Sequence, residues 1–174
     1  MEKKEKNAEI TKEKKEESSL EKLKKKYGEL QKKYKLPTFE KMNYYYDIEE
    51  LSGKETDLLL RAVRRKITEK TNSYLRFIEV FLNPSQAPLF FMLLGKSLDA
   101  ETMKLMNEIY IELGKVEIEH LRLEVQESEA EEARVINEVT KNWEIIREKT
   151  KGLAEIFGKR WNKKSESKEK GYFG

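Results

Sequence analysis

Glu117 and His120 stand three residues apart in Glu117-Ile118-Glu119-His120. On a bundle helix that spacing can turn two metal ligands toward a core. Such a site also needs inward carboxylates from the neighbouring helices. At about 100° per residue, His120 falls mid-stripe between Val116 and Leu123, with Glu117 about 60° away at the stripe's edge. The facing stripes carry Ile67, Tyr74, Ile78, Val139, Trp143 and Ile146, with no carboxylate among them. The expectation is no metal and no cofactor, and a core-edge histidine hydrogen-bonded to a carboxylate or a carbonyl.

Other chemistries lack their parts. The chain has one His and no Cys, so thiolate ligands, cysteine nucleophiles and disulfides are excluded. There is no Gly-x-Gly-x-x-Gly, no Gly-Lys-Ser/Thr phosphate loop and no Gly-x-Ser-x-Gly. A Ser-His-Asp triad would have to use His120, mid-helix on an apolar stripe. We expect no enzyme.

Arginine is scarce and clustered. Four of the eight, Arg61, Arg64, Arg65 and Arg76, fall on one candidate helix beside Lys66 and Lys70. Arg suits bidentate recognition of phosphate or carboxylate, whereas Lys mainly supplies solubility. Arg61, Arg64, Arg65 and Arg76 are therefore the candidate face for an anionic partner. The alternative pairs these arginines internally with Glu69 or with the acidic run Glu124, Glu127, Glu129, Glu131 and Glu132. At the C-terminus, Tyr172 and Phe173 follow the spacer Lys163–Lys170, which has no apolar residue. The expectation there is a disordered tail over 163–174 whose terminal Gly-Tyr-Phe-Gly acts as a peptide hook.

The elements that must position these residues follow from apolar spacing. Residues 1–17 hold only Met1, Ala8 and Ile10 as apolar side chains and read as a disordered or frayed charged tail. Residues 18–35 read as a basic amphipathic helix on Leu20, Leu23, Tyr27 and Leu30. Residues 36–162 read as the bundle domain. Within it, Thr38 caps an aromatic segment through Tyr46. A long helix over 56–82 runs on Leu60, Val63, Ile67, Thr71, Tyr74, Ile78 and Phe81. Asn83-Pro84-Ser85 ends it. The short, almost wholly apolar 89–94 follows and is expected to be buried. Asp99 caps a helix to about Gln126. Ser128 caps the last, whose seam of Ile136, Val139, Trp143, Ile146, Thr150, Leu153 and Phe157 alternates spacings of 3 and 4. No stretch alternates with period two, so the predicted fold class is all-α: an antiparallel helical bundle of three long helices, a short buried helix and an aromatic N-terminal segment.

Composition sets the remaining expectations. Charged residues make up 40% of 174, against roughly 25% in an average domain, and the net charge is only +3. Residues 1–35 carry 13 Lys against 8 Glu, and residues 159–174 carry 6 basic against 2 acidic. A Lys/Glu-rich, Cys-free chain matches the bias of thermophile proteins. No apolar run approaches the ~20 residues that span a bilayer, and no apolar stretch follows the N-terminal charges, so the expected location is cytoplasmic, with no membrane partner. The expected function is a non-enzymatic interaction protein, an adaptor or assembly component with a protein partner. The alternative is a nucleic-acid- or ribonucleoprotein-associated factor using the basic tails and the Arg61–Arg76 face.

Overall fold

The computed structural model describes residues 19–169, apart from Glu55, Ser97 and Glu127. The charged tail expected over 1–17 lies outside the described residues. Among the described residues every regular element is helical, and the fold is an all-α helical bundle. Helix α1 covers 19–34, α2 Phe39–Tyr46, α3 Leu59–Leu82, α4 Leu89–Gly95, α5 Ala100–Glu124 and α6 Glu129–Glu169. Single 3₁₀ turns occupy Ile48–Leu51 and Pro84–Gln86.

The punctuation follows from cap chemistry. Thr38 Oγ1 accepts from the Lys41 amide at 3.2 Å and starts α2. Asp47, in the left-handed region at φ 54°, ends it. Lys35, at φ 53°, does the same after α1. Asp99 Oδ1 accepts from both the Thr102 amide (2.8 Å) and the Thr102 hydroxyl (2.7 Å), so the N-cap bond of α5 is reinforced by a second donor from the same threonine. Ser128 Oγ accepts from the Glu131 amide at the start of α6. Pro84 follows the last turn of α3 as expected.

The chain divides into two compact units, one comprising residues through Lys70 with His120–Thr140, the other Thr71–Glu119 with Lys141 onward. In the first unit α1 docks by one face, with Leu23 and Tyr27 buried. The Tyr27 ring meets Phe39 edge-on at 5.7 Å, and its hydroxyl donates to the Pro37 carbonyl at 2.8 Å. Burial pushes the Tyr27 phenol well above its usual range. Phe39, Met42 and Tyr46 bury the inner face of α2, and the Thr140 hydroxyl donates to the Met42 sulfur at 3.4 Å. Asn137 Nδ2 donates to the Tyr34 carbonyl, which ties α1 to α6.

In the second unit α5 runs antiparallel to α6. Lys149 bonds Glu108 at 2.8 Å, and Arg160 bonds Asp99 farther along. Trp143, 1% exposed, receives the edge of Tyr74 at 5.2 Å and 90°. Phe81 stacks on Phe157 at 4.9 Å. Ile78, Ile146 and Leu153 are buried as the stripes require.

Two expectations are corrected. Helix α4 is not a buried helix: Leu94 is its buried residue, while Leu89 is 70% exposed, Phe90 47% and Met92 41%. Seven residues linking α3 to α5 can offer only one side to their neighbours, however apolar the other side is. Helix α6 does not end at Asn162 but runs to Glu169, through most of the spacer expected to be a disordered tail. Lys, Ser and Glu there include no helix breaker before Gly171.

Candidate functional site

The arginines of α3 and the single histidine meet in the first unit. Helix α3 places Arg61, Arg64, Arg65 and Thr68, α5 brings His120 and Glu124, and α6 brings Glu132. The centre is Arg64, 1% exposed. Its Nε donates to Glu132 Oε2, and Nη2 donates to Glu132 Oε1 at 3.2 Å and to Glu124 Oε1 at 2.8 Å. Its Nη1 meets His120 Nδ1. A guanidinium can only donate, so Nδ1 accepts and the ring proton sits on Nε2. The Thr68 hydroxyl donates to the Arg64 carbonyl at 3.1 Å.

The rest of the constellation surrounds this fork. Arg65 donates to Glu124 from Nε (3.2 Å) and Nη2 (2.9 Å), although its own side chain is half exposed. Arg61 Nε lies 3.6 Å from Glu132 Oε1. Hydrogen bonds from Arg65 and Arg64 hold the Glu124 carboxyl down at about 2, far below the usual carboxylate range. The same contact raises Arg65.

This geometry reassigns the predicted anion-binding face. Arg64 is not on the surface, and its Nε, Nη1 and Nη2 are all occupied. It therefore cannot form part of a face that meets an outside anion. Arg61 and Arg65 are drawn to the same two carboxylates, so the internal pairing with Glu124 and Glu132 is the arrangement found. Arg76 belongs to the second unit. It is exposed and borders a groove of about 760 Å³ with Glu79, Asn83, Asn107 and Tyr110. The structure thus gathers Arg61, Arg64 and Arg65 and leaves Arg76 apart. Tyr172 and Phe173 lie outside the described residues.

His120 sits at a core edge with its side chain 19% exposed, as its stripe position suggested: Nδ1 meets Arg64 and lies 3.1 Å from the Thr68 hydroxyl, and Nε2 lies 4.0 Å from Glu124 Oε1. Among the described residues no group of three or more His, Cys, Asp or Glu is placed to hold a metal ion.

Sequence reasoning named Glu132 within the acidic run but gave it no place in the core, and it is only 3% exposed. Its signal was present: four residues before Ile136, it continues the α6 seam one step toward the N-terminus. A carboxylate at a seam position requires a buried cation, and Arg64, about 60° from the centre of the α3 stripe, is the cation that can reach inward.

The second unit carries a surface of different character. Phe77, Phe81, Phe90, Phe91, Phe157 and Trp161 form a continuous chain of rings, joined by contacts such as Phe77–Phe91 at 5.9 Å and Phe90–Trp161 at 4.8 Å. Its inner members, Phe81 and Phe157, are buried, whereas Phe90 and the 41% exposed Trp161 open to solvent beside Leu89 and Met92. A groove of about 560 Å³ between α3 and α6 begins at Phe77 and is bordered by Tyr74, Thr150, Lys151 and Ala154. Comparison with protein-family models, with curated proteins and with solved structures returns no match.

Proposed function

We propose that this protein is a non-enzymatic helical interaction component whose second unit docks a partner protein on α4 and the adjoining end of α6. The observation that carries this reading is the exposure of Leu89, Phe90, Met92 and Trp161 in a chain 40% charged. Residues 80–95 contain no charge, and the outer face of α4 remains open to solvent. Contiguous exposed apolar side chains with aromatic members are what protein interfaces use as anchors. The groove beginning at Phe77 extends the surface, so an amphipathic helix with apolar side chains at i, i+3 or i+4, and i+7 fits its shape. Two features support a role without catalysis: Arg64 occupies the Nδ1 of the chain's one histidine, and Glu124 and Glu132 are held by arginines.

The test places a photo-crosslinking amino acid at Leu89 in the native host, with a second at the partly exposed Glu112 on α5. One defined protein should be trapped from position 89 and not from 112. Phe90→Ser with Met92→Ser should abolish that crosslink without lowering the melting temperature by more than a few degrees. Equal trapping from both positions, or none from 89, would reject the α4 surface.

A further inference from the structure

The positive charge of the N-terminal region is not spread along a tail. Residues 1–18 contain six Lys and six Glu, whereas residues 19–35 contain seven Lys and two Glu. The whole +5 of residues 1–35 therefore belongs to α1 and its C-terminal cap residue Lys35. Helix α1 is docked: Leu23 and Tyr27 are buried, and Tyr27 is fixed through Phe39 and Pro37. At about 100° per residue, Lys22, Lys25, Lys26, Lys32 and Lys33 fall within a sector of about 120° that lies away from Leu23 and Tyr27 and includes one acidic residue, the exposed Glu29. All five lysines are exposed. Lys33 bonds Glu129 and Lys26 caps the Thr56 carbonyl, while Lys22, Lys25 and Lys32 point charge outward with no ion pair among the described residues.

We infer that this lysine face of α1 is a sequence-independent docking surface for the phosphate backbone of a nucleic acid. Three features select that partner. The face offers no exposed large apolar anchor, and protein interfaces are depleted in lysine and anchored by aromatics and arginine. A helix lying on a membrane inserts its apolar face, but that face of α1 is already covered by its own protein. What remains is a row of compact point charges about 16 Å long from Lys22 to Lys33, and a duplex presents a phosphate about every 3.4 Å along each strand. Lysine, unlike arginine, meets such a backbone without demanding bidentate geometry, which suits contact independent of sequence. The surface lies in the first unit and stands on observations separate from those at α4.

The test measures fluorescence anisotropy of a labelled DNA duplex of about 20 base pairs with the full chain, between about 50 and 200 mM salt. Wild-type affinity should fall linearly on a log–log plot against salt. The variant Lys22→Gln/Lys25→Gln/Lys32→Gln should bind at least about tenfold more weakly at the lowest salt, with a slope shallower by about 2 to 3, since each phosphate contact contributes about 0.9. A variant with the same charge change elsewhere, Lys141→Gln/Lys159→Gln/Lys163→Gln on α6, should stay within about twofold of wild type. Glutamine keeps the helix propensity of lysine. If the triple variant nevertheless loses helix content, Lys25→Gln and Lys32→Gln singly carry the test, each taking about 0.9 off the slope. Equal losses in the α1 and α6 variants would overturn the inference, as would no loss in either or no binding by the wild type. Tighter binding to phosphatidylcholine–phosphatidylserine vesicles than to the duplex would assign the face to a membrane instead.

Discussion

Arg64 carries a full charge at 1% exposure, and Glu132 faces it at 3%. Removing such ions from water costs several kcal/mol each, offset here by a guanidinium whose Nε and both Nη atoms are engaged and a carboxylate that accepts on both oxygens. The balance is asymmetric, because breaking the pair leaves an uncompensated charge whereas removing both partners does not. Arg64→Leu alone should destabilise the protein by about 3–5 kcal/mol in denaturant titration. Arg64→Leu together with Glu132→Leu should recover more than half of that loss. A cost below about 1 kcal/mol for the single change would mean that water reaches Glu132 and the pair is effectively solvated.

At the scale of elements, α4 and α6 show how far an apolar pattern can be trusted. The α6 seam repeats over several turns, and each turn must find a partner, so Ile136, Trp143, Ile146, Leu153 and Phe157 are all buried. Helix α4 has too few residues to state a face by repetition. Its apolar composition alone gave burial, and three of its seven residues are instead exposed. Leu94 and Leu89 separate the two sides. Leu94→Ala should cost about 2–5 kcal/mol, because it removes a buried side chain and leaves a cavity. Leu89→Ala, at a position 70% exposed, should change stability by no more than about 0.5 kcal/mol. Similar costs at both positions would mean that the outer face of α4 is covered in solution.

For the molecule as a whole, ion pairs set the pH range of stability. Asp99, Glu108, Glu129 and Glu131 all have carboxyls below their ordinary values, through hydrogen bonds to Thr102, Lys149, Lys33 and Arg122 respectively, and Glu124 is held at about 2. Lys33 and Lys66 lie above the ordinary lysine value through Glu129 and Glu50. A depressed carboxyl adds stability that is complete above its unfolded value and lost as pH falls through its folded value. A raised lysine adds stability that is complete below its unfolded value and lost as pH rises through its folded value. The melting temperature should therefore be flat between about pH 5 and 10 and fall on both sides, most steeply in acid between about 4.5 and 2. Glu124→Gln should lower the plateau and flatten the acid limb. An acid limb of unchanged depth in that variant would show that other carboxylates carry it. Most of these groups are exposed, so solvent screening keeps each contribution small.

The sequence by itself determined the helices, because helical spacing of apolar residues and cap chemistry act locally. Thr38, Pro84, Asp99 and Ser128 mark boundaries wherever the helices later pack, and the long stripes name the core because burial of a repeating face is forced. The same sequence named Arg61, Arg64 and Arg65 and also the acidic run that could neutralise them, but not which of the two outcomes held. That choice belongs to the tertiary structure. Arg64 and Glu132 are 68 residues apart, and only the packing of α3 with α6 decides that one guanidinium turns inward while its neighbour Arg65 remains half exposed. Tertiary contacts also decided which side of α4 is left open, since a short helix apolar all round holds no record of the direction its neighbours come from. The surfaces left to meet other molecules, the lysines of α1 and the apolar side of α4, are what remains exposed once those internal pairings are made.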